Sequence, residues 1–213
     1  MLIALSVGVA VPLVYVLSLL LEAYRTTPSV LEKVEILEEA GIRVEDLPKE
    51  WKAIILRVED PGFYEHNGVD LSTPGAGLTT ITQGLVKLHF FQSFSPGLRA
   101  KLKQTLCAIV LDRSLEKDRQ LTLLLHTASF GPSNDGWVVG FPEAARAYFG
   151  KELLGLTRVE FISLVGMLIG PVAYHPMNKP EALADRVSGI EALIAGRCEP
   201  VGLRDVYYEG CSR

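Results

Sequence analysis

The sequence predicts a mainly α-helical protein behind one N-terminal membrane-spanning helix, and three observations carry that prediction. Residues 1–21 contain no charged side chain, and about 20 apolar residues are what a helix needs to cross the hydrocarbon core of a bilayer. Downstream, apolar residues recur at helical rather than alternating spacing. Proline and glycine interrupt those stretches at the positions where helices start and stop. With 213 residues and 48% hydrophobic content, the chain that remains after the anchor can bury one sizeable core, so a single folded domain is expected.

Taken in order, residues 1–23 read as the anchor, 24–44 as a juxtamembrane linker with a helix over Leu31 to Glu39, 45–197 as the folded domain and 198–213 as a C-terminal tail. A cleaved signal peptide competes for the first segment, but there is no basic stretch at its start and no small-x-small site before Tyr24-Arg25. Pro12 is tolerated in a spanning helix. Lys49 to Val58 is a helix with Pro48 near its start, where a missing N–H is harmless. Gly68 to Gly77, with Pro74 and Gly75, is a loop, and helical spacing resumes from Thr82 to about His89. After the Ser95-Pro96-Gly97 break, Leu98 to Leu111 sets Leu98, Leu102, Thr105, Leu106, Ile109 and Val110 on one face. Glu116 to His126 is a leucine-rich helix, Phe130 to Gly136 a loop, and Pro142 to Phe149 a short helix closed by Gly150. Thr157-Arg158-Val159-Glu160 is a capping-box pattern opening a very apolar helix through Ile169, which Gly170-Pro171 stops. Being apolar nearly all round, this helix belongs at the centre of the core. Pro180 to Ala195 is the last helix.

Net charge is −4, which argues against nucleic acid as a partner, because such binding needs a basic surface. Charge is nevertheless segregated. From Leu85 to Leu111 the charged residues are Lys87, Arg99, Lys101 and Lys103 without a single acid, whereas Glu22 to Glu65 holds 11 acidic and 6 basic residues. A local cationic stretch on an acidic protein can concentrate an anion such as phosphate; a solvated basic helix face is the plainer reading. Leu85, Val86, Leu88, Phe90, Phe91 and Phe94 crowd the same region, suited either to a membrane headgroup surface or to the core. Cys107 reads as a small core residue, and Cys198 and Cys211 are available for a bridge in an oxidising compartment.

The segment with most chemistry is Glu59-Asp60-Pro61-Gly62-Phe63-Tyr64-Glu65-His66-Asn67-Gly68-Val69-Asp70, followed by Gly77-Leu78-Thr79-Thr80-Ile81-Thr82-Gln83. A carboxylate pair beside aromatic rings, then a Gly/Thr turn entering a helix, can build a general base next to an anion cradle. His66 reads as structural, since His89, His126 and His175 are scattered and none lies at metal-ligand spacing; no metal-binding residue is expected.

With Lys117-Asp118-Arg119, Tyr148-Phe149-Gly150-Lys151 and Pro171 to Pro176, these segments form five ordered motifs over residues 45–195, and their order resembles that of the peptidoglycan glycosyltransferases, glycosyltransferase family 51. The resemblance implies a lysozyme-like fold with a larger head and a smaller membrane-apposed jaw, tethered to the bacterial inner membrane by a single pass, with the domain on the periplasmic or extracellular side. It implies lipid II and the growing glycan strand as substrates, glycan-strand polymerisation with inversion and release of undecaprenyl pyrophosphate, and a transpeptidase or other envelope-assembly protein as partner, because the sequence to Arg213 has no Ser-x-x-Lys accompanied by the companion motifs of cross-linking domains. Glu59 matches the family's base, with Asp60 orienting it. Phe63, Thr80, Gln83, Lys87, Arg99, Lys101 and Gln104 fall on or beside its substrate-binding motifs.

Several positions depart from the family pattern. Gln104 stands where a second glutamate is usual and Ala100 where an arginine is, with Arg99 beside it. Thr122 replaces a usual glutamate, His126 a usual asparagine and Gly84 a common glutamine, and the Asp70 to Gly77 connection is short. A divalent cation, Mg or Mn, that bridges pyrophosphate in the family would find only a neutral oxygen at Gln104. Two functions are therefore carried forward: a polymerase using Glu59, and an impaired relative that binds lipid II or acts as a scaffold. A lysozyme-type hydrolase would also use a lone glutamate, but it leaves the anchor and the Thr/Gln/Lys cradle unexplained.

Overall fold

The structure, a computed structural model, describes residues 2–211, with side chains from residue 12 onward apart from that of Glu209. Eight helices and one hairpin follow one another: α1 (Leu2–Ala40), α2 (Lys49–Glu59), α3 (Ile81–His89), α4 (Leu98–Ser114), α5 (Lys117–Thr127), β1 (Ser129–Ser133), β2 (Gly136–Val139), α6 (Phe141–Phe149), α7 (Arg158–Met167) and α8 (Pro180–Ile194). The mainly α-helical expectation holds.

The core is built around α7. Phe161, Ile162, Leu164, Val165 and Met167 are all fully buried, as a helix apolar on every side requires. Trp51 of α2 stacks on Phe161 at 4.1 Å between centroids, and Phe141 links Phe161 to Phe130 of the hairpin. The start of α7 is the capping box read in the sequence: Thr157 Oγ1 accepts from Glu160 N, while Glu160 turns back to accept from Thr157 N at 2.7 Å. Lys151 then holds Glu160 at 2.8 Å, so the Tyr148 to Lys151 motif secures this helix. Tyr148 donates to Phe130 O at 2.8 Å and pins the hairpin.

The helix expected over Leu31 to Glu39 is the last quarter of α1. Leu19, Ala23, Thr27, Val30 and Val34 are buried along one stripe of it, which packs on α4 and α5. Ion pairs from Glu22 to Lys103 and Glu38 to Arg119 flank the stripe. The side chains of residues 1–11, half of the expected anchor, lie outside those described. Among the described residues, no helix is long and apolar enough to cross a membrane.

Two expectations need correction. Residues 130–136 are not a loop but most of a two-stranded antiparallel hairpin, with Pro132 opposite Trp137. Leu98 and Leu102 of α4 are exposed; Val110 of the predicted stripe is buried, but the helix otherwise buries Gln104, Cys107, Ala108 and Leu111, because α1 and α3 pack on the side away from Leu98 and Leu102. Of the aromatic segment, Leu85, Val86 and Phe90 enter the core, whereas Phe91 and Phe94 pack edge to face at 5.2 Å, under Lys103 and Lys87 respectively.

Residues after α8 do not trail away. Cys198 and Cys211 are bridged, and the strap between them is sewn to the loop before α3: Gly75 N donates to Gly202 O at 3.0 Å and Gly77 N to Leu203 O at 2.7 Å. Both glycines have positive φ, and a Cβ on Gly75 would come within 2.7 Å of Pro200 Cγ.

Candidate active site

A cleft of about 570 Å³ opens where the end of α2, the 75–80 loop and the first turns of α3 face Leu168 to Pro171, Arg186 of α8 and Val206 of the strap. Glu59, Thr80 and Lys87, all singled out in the sequence, line it. Glu59 is the last residue of α2. Its carboxyl has no hydrogen-bonding or ion-pairing partner among the described residues. Burial pushes its pKa up from 4.5 to about 7; the Arg186 charge opposes that rise and the Asp60 charge adds to it. An unpartnered carboxyl that titrates near neutral pH can accept a proton from a bound hydroxyl.

Asp60 is committed differently. Fully buried, it accepts from His66 Nε2 at 2.9 Å and from Ile81 N at 3.0 Å. The expected anion position at the start of α3 is thus filled by the protein's own carboxylate, which ties the end of α2 to α3. Thr80 caps α3: its Oγ1 accepts from Gln83 N, Gln83 Oε1 accepts from Thr80 N, and the Thr80 hydroxyl donates to Gly68 O at 2.7 Å. Phe63 is only 1% exposed, set among Tyr64, His66 and the Lys117 ammonium, and is a frame residue that does not reach the cleft.

The cations divide. Lys87 faces the cleft from α3. Lys101 sits at its rim, donating to Leu78 O and, at 3.2 Å each, to Gln83 Oε1 and Gln104 Oε1; burial lowers its pKa. No carboxylate among the described residues neutralises Lys101, whereas Lys103 is spent on Glu22. Arg99 stands exposed on the first turn of α4 and does not line the cleft.

A divalent cation does not fit at Gln104. Its Nε2 donates to Gln83 O at 2.8 Å, and its Oε1 already faces the Lys101 ammonium. A second cation there would meet like charge with a neutral oxygen as its ligand. Among the described residues, no three His, Cys, Asp or Glu side chains converge.

The other departures have local explanations. Thr122 Oγ1 accepts from Val44 N at 3.1 Å and His126 Nε2 meets Ile42 O at 2.8 Å, so both hold the link between α1 and α2. Gly84 lines the cleft, and a Cβ there would meet nothing within 4 Å. Sequence reasoning missed Arg186 and Val206. The signal for Arg186 was a lone charge amid the Leu183, Val187, Ile190 and Leu193 face of the last helix; Val206 carries none.

Comparison with known proteins shows the family. Residues 29–193 match the family model described as Transglycosylase. The chain is 36% identical over 145 residues to penicillin-binding protein 1B of Buchnera aphidicola, covering 62% of this chain and 19% of that one. It is 32% identical over 145 residues to penicillin-binding protein 1B of Escherichia coli, covering 62% and 17%. To penicillin-binding protein 1F of Bacillus subtilis it is 32% identical over 158 residues, covering 68% and 21%. The matched stretch spans about a fifth of the length of these relatives.

Proposed function

This chain belongs to the transglycosylase family, and from that premise we propose that its cleft polymerises peptidoglycan glycan strands from lipid II. The 4-hydroxyl oxygen of one disaccharide attacks the anomeric carbon of the other, and the hydroxyl proton passes to Glu59. The bond from that carbon to the pyrophosphate oxygen breaks with inversion, and undecaprenyl pyrophosphate leaves with the electron pair. Lys87 on the cleft wall and Lys101 at its rim balance the charge that develops on the leaving group. Asp60, Thr80, Gln83 and Gln104 hold the elements that carry these groups, and Arg99 meets the extended substrate outside the cleft. No step passes through a metal.

The observation that carries this reading is the Glu59 carboxyl: unpartnered, facing the cleft, and with its pKa raised to about 7. Residues 1–21 would tether the domain to the membrane, with 45–197 as the glycosyltransferase domain in a lysozyme-like head-and-jaw arrangement. A bridged Cys198–Cys211 pair suits the oxidising, periplasmic or extracellular side. A transpeptidase partner would supply cross-linking.

Incubating the detergent-solubilised protein with labelled lipid II tests the proposal. Polymer formed by the native chain and lost in Glu59→Gln is the expected result. Polymer that survives Glu59→Gln would overturn Glu59 as base. Polymer formed only by Gln104→Glu would make the native chain a lipid II-binding relative.

A further inference from the structure

Arg186 is the most costly side chain in the cleft wall. It is 6% exposed, and its Nε is buried without a hydrogen-bond partner. No carboxylate among the described residues lies within ion-pair distance of it, and a guanidinium buried without a counter-ion is normally avoided. Its place is nevertheless prepared. Gly166 of α7 leaves room for it, since a Cβ there would approach Arg186 Cγ to 3.2 Å. Arg186 Nη1 donates to Val206 O at 2.7 Å, and the guanidinium lies over the Tyr208 ring, 4.7 Å from its centroid. Tyr208 in turn donates to Val58 O at 2.7 Å, one residue before Glu59. Three of these contacts are made by the strap that the Cys198–Cys211 bridge closes.

We infer that Arg186, clamped by the disulfide-bridged strap, is a positioning residue for the base: it keeps a permanent positive charge beside the Glu59 carboxyl without bonding to it. The inference rests on Glu59 acting as the base. Direct contact would hold Glu59 ionised and make it a poor proton acceptor, whereas burial with no charge nearby would keep it protonated at neutral pH. A guanidinium held near but apart leaves the carboxyl between these extremes. The other charged or titratable groups that bear on the pair are Asp60, committed to His66 and Ile81 N, Arg57, engaged with Glu199, Lys87 on the cleft wall, and Tyr208, whose pKa burial pushes up to about 12. None of them duplicates the position of Arg186.

The test reads Glu59 directly. Glutamate labelled with carbon-13 at Cδ is titrated by NMR in the full chain in detergent, and the Glu59 signal is identified by its loss in Glu59→Gln. Arg186→Gln should raise the Glu59 midpoint by about one pH unit, and Arg186→Lys should restore most of it. Opening the bridge with Cys198→Ser and Cys211→Ser should shift the midpoint in the native background but not in Arg186→Gln. An unchanged or lowered midpoint in a folded Arg186→Gln overturns the inference. So does a bridge effect that simply adds to that of Arg186→Gln, because the strap would then act on Glu59 by another route. The titration needs no substrate, so a chain that titrates as expected but makes no polymer would count against the proposed activity alone.

Discussion

The proton affinity of Glu59 has a consequence for stability that Glu59→Gln isolates. The carboxyl titrates at 4.5 when unperturbed and at about 7 in the folded chain, chiefly through burial. The folded state therefore holds this proton more tightly than the unfolded state. Its stabilising effect is complete below pH 4.5, is lost as pH climbs from 4.5 to 7, and does not recover above. A shift of roughly 2.5 units at about 1.4 kcal/mol per unit amounts to about 3.5 kcal/mol, most of it lost between pH 4 and pH 8. Glutamine fills nearly the same volume and does not titrate, so any cost of its amide is the same at every pH. Between pH 4 and pH 8 the native chain should thus lose about 3 kcal/mol relative to Glu59→Gln, or about 6–12 °C in Tm for a chain of this size. Thermal unfolding of both proteins in one detergent across that range measures the difference. A native-minus-variant difference that stays flat, or that changes only around pH 4.5, would refute a half-buried, proton-holding Glu59.

Polymerisation should share that titration: if Glu59 must be ionised to accept a proton, kcat/KM at pH 6 should be about one tenth of its plateau, read from lipid II consumption. Asp60→Ala should destabilise by about 2–3 kcal/mol, since it strands His66 Nε2 and Ile81 N in the interior, and thermal unfolding would show it. Gly84→Ala should stabilise by about 1 kcal/mol, because alanine favours the helix and its methyl meets nothing within 4 Å. Gly75→Ala should destabilise by more than about 1 kcal/mol, since φ is +80° and the methyl would strike Pro200; faster proteolysis of the strap would accompany it.

What could be read in advance was whatever local chemistry determines. The starts of α2, α6, α7 and α8 follow from Pro48, Pro142, the Thr157/Glu160 box and Pro180, and the structure puts them within a residue or two of the reading. Glu59, Thr80 and Lys87 could be grouped in advance because they fall on consecutive motifs of the family pattern, although residues 60–80 separate the two helices. Phase and long-range pairing were not legible. The buried face of α4 is chosen by α1, whose contact with it depends on residues some 80 positions away. β1 carries Gly131 and Pro132, which suppress any strand pattern, so the hairpin is held from outside by Tyr148 and by His175, whose Nε2 meets Pro132 O at 2.8 Å. Gln104 read as a lost carboxylate, and the structure shows why an amide suits the place: one side chain both donates to Gln83 O and accepts from Lys101.

Because α1 runs unbroken from Leu2 to Ala40 and is fixed to α4 and α5 along its second half, its two ends are geared together. One residue inserted between Leu21 and Glu22 would advance the N-terminal portion by about 1.5 Å and turn it by about 100° relative to the mouth of the cleft. Seven residues would return it to nearly the same heading, about 10 Å further out. Distance and compass direction at the far end of this spindle cannot be set separately, so tolerated length changes there should come in whole pairs of turns.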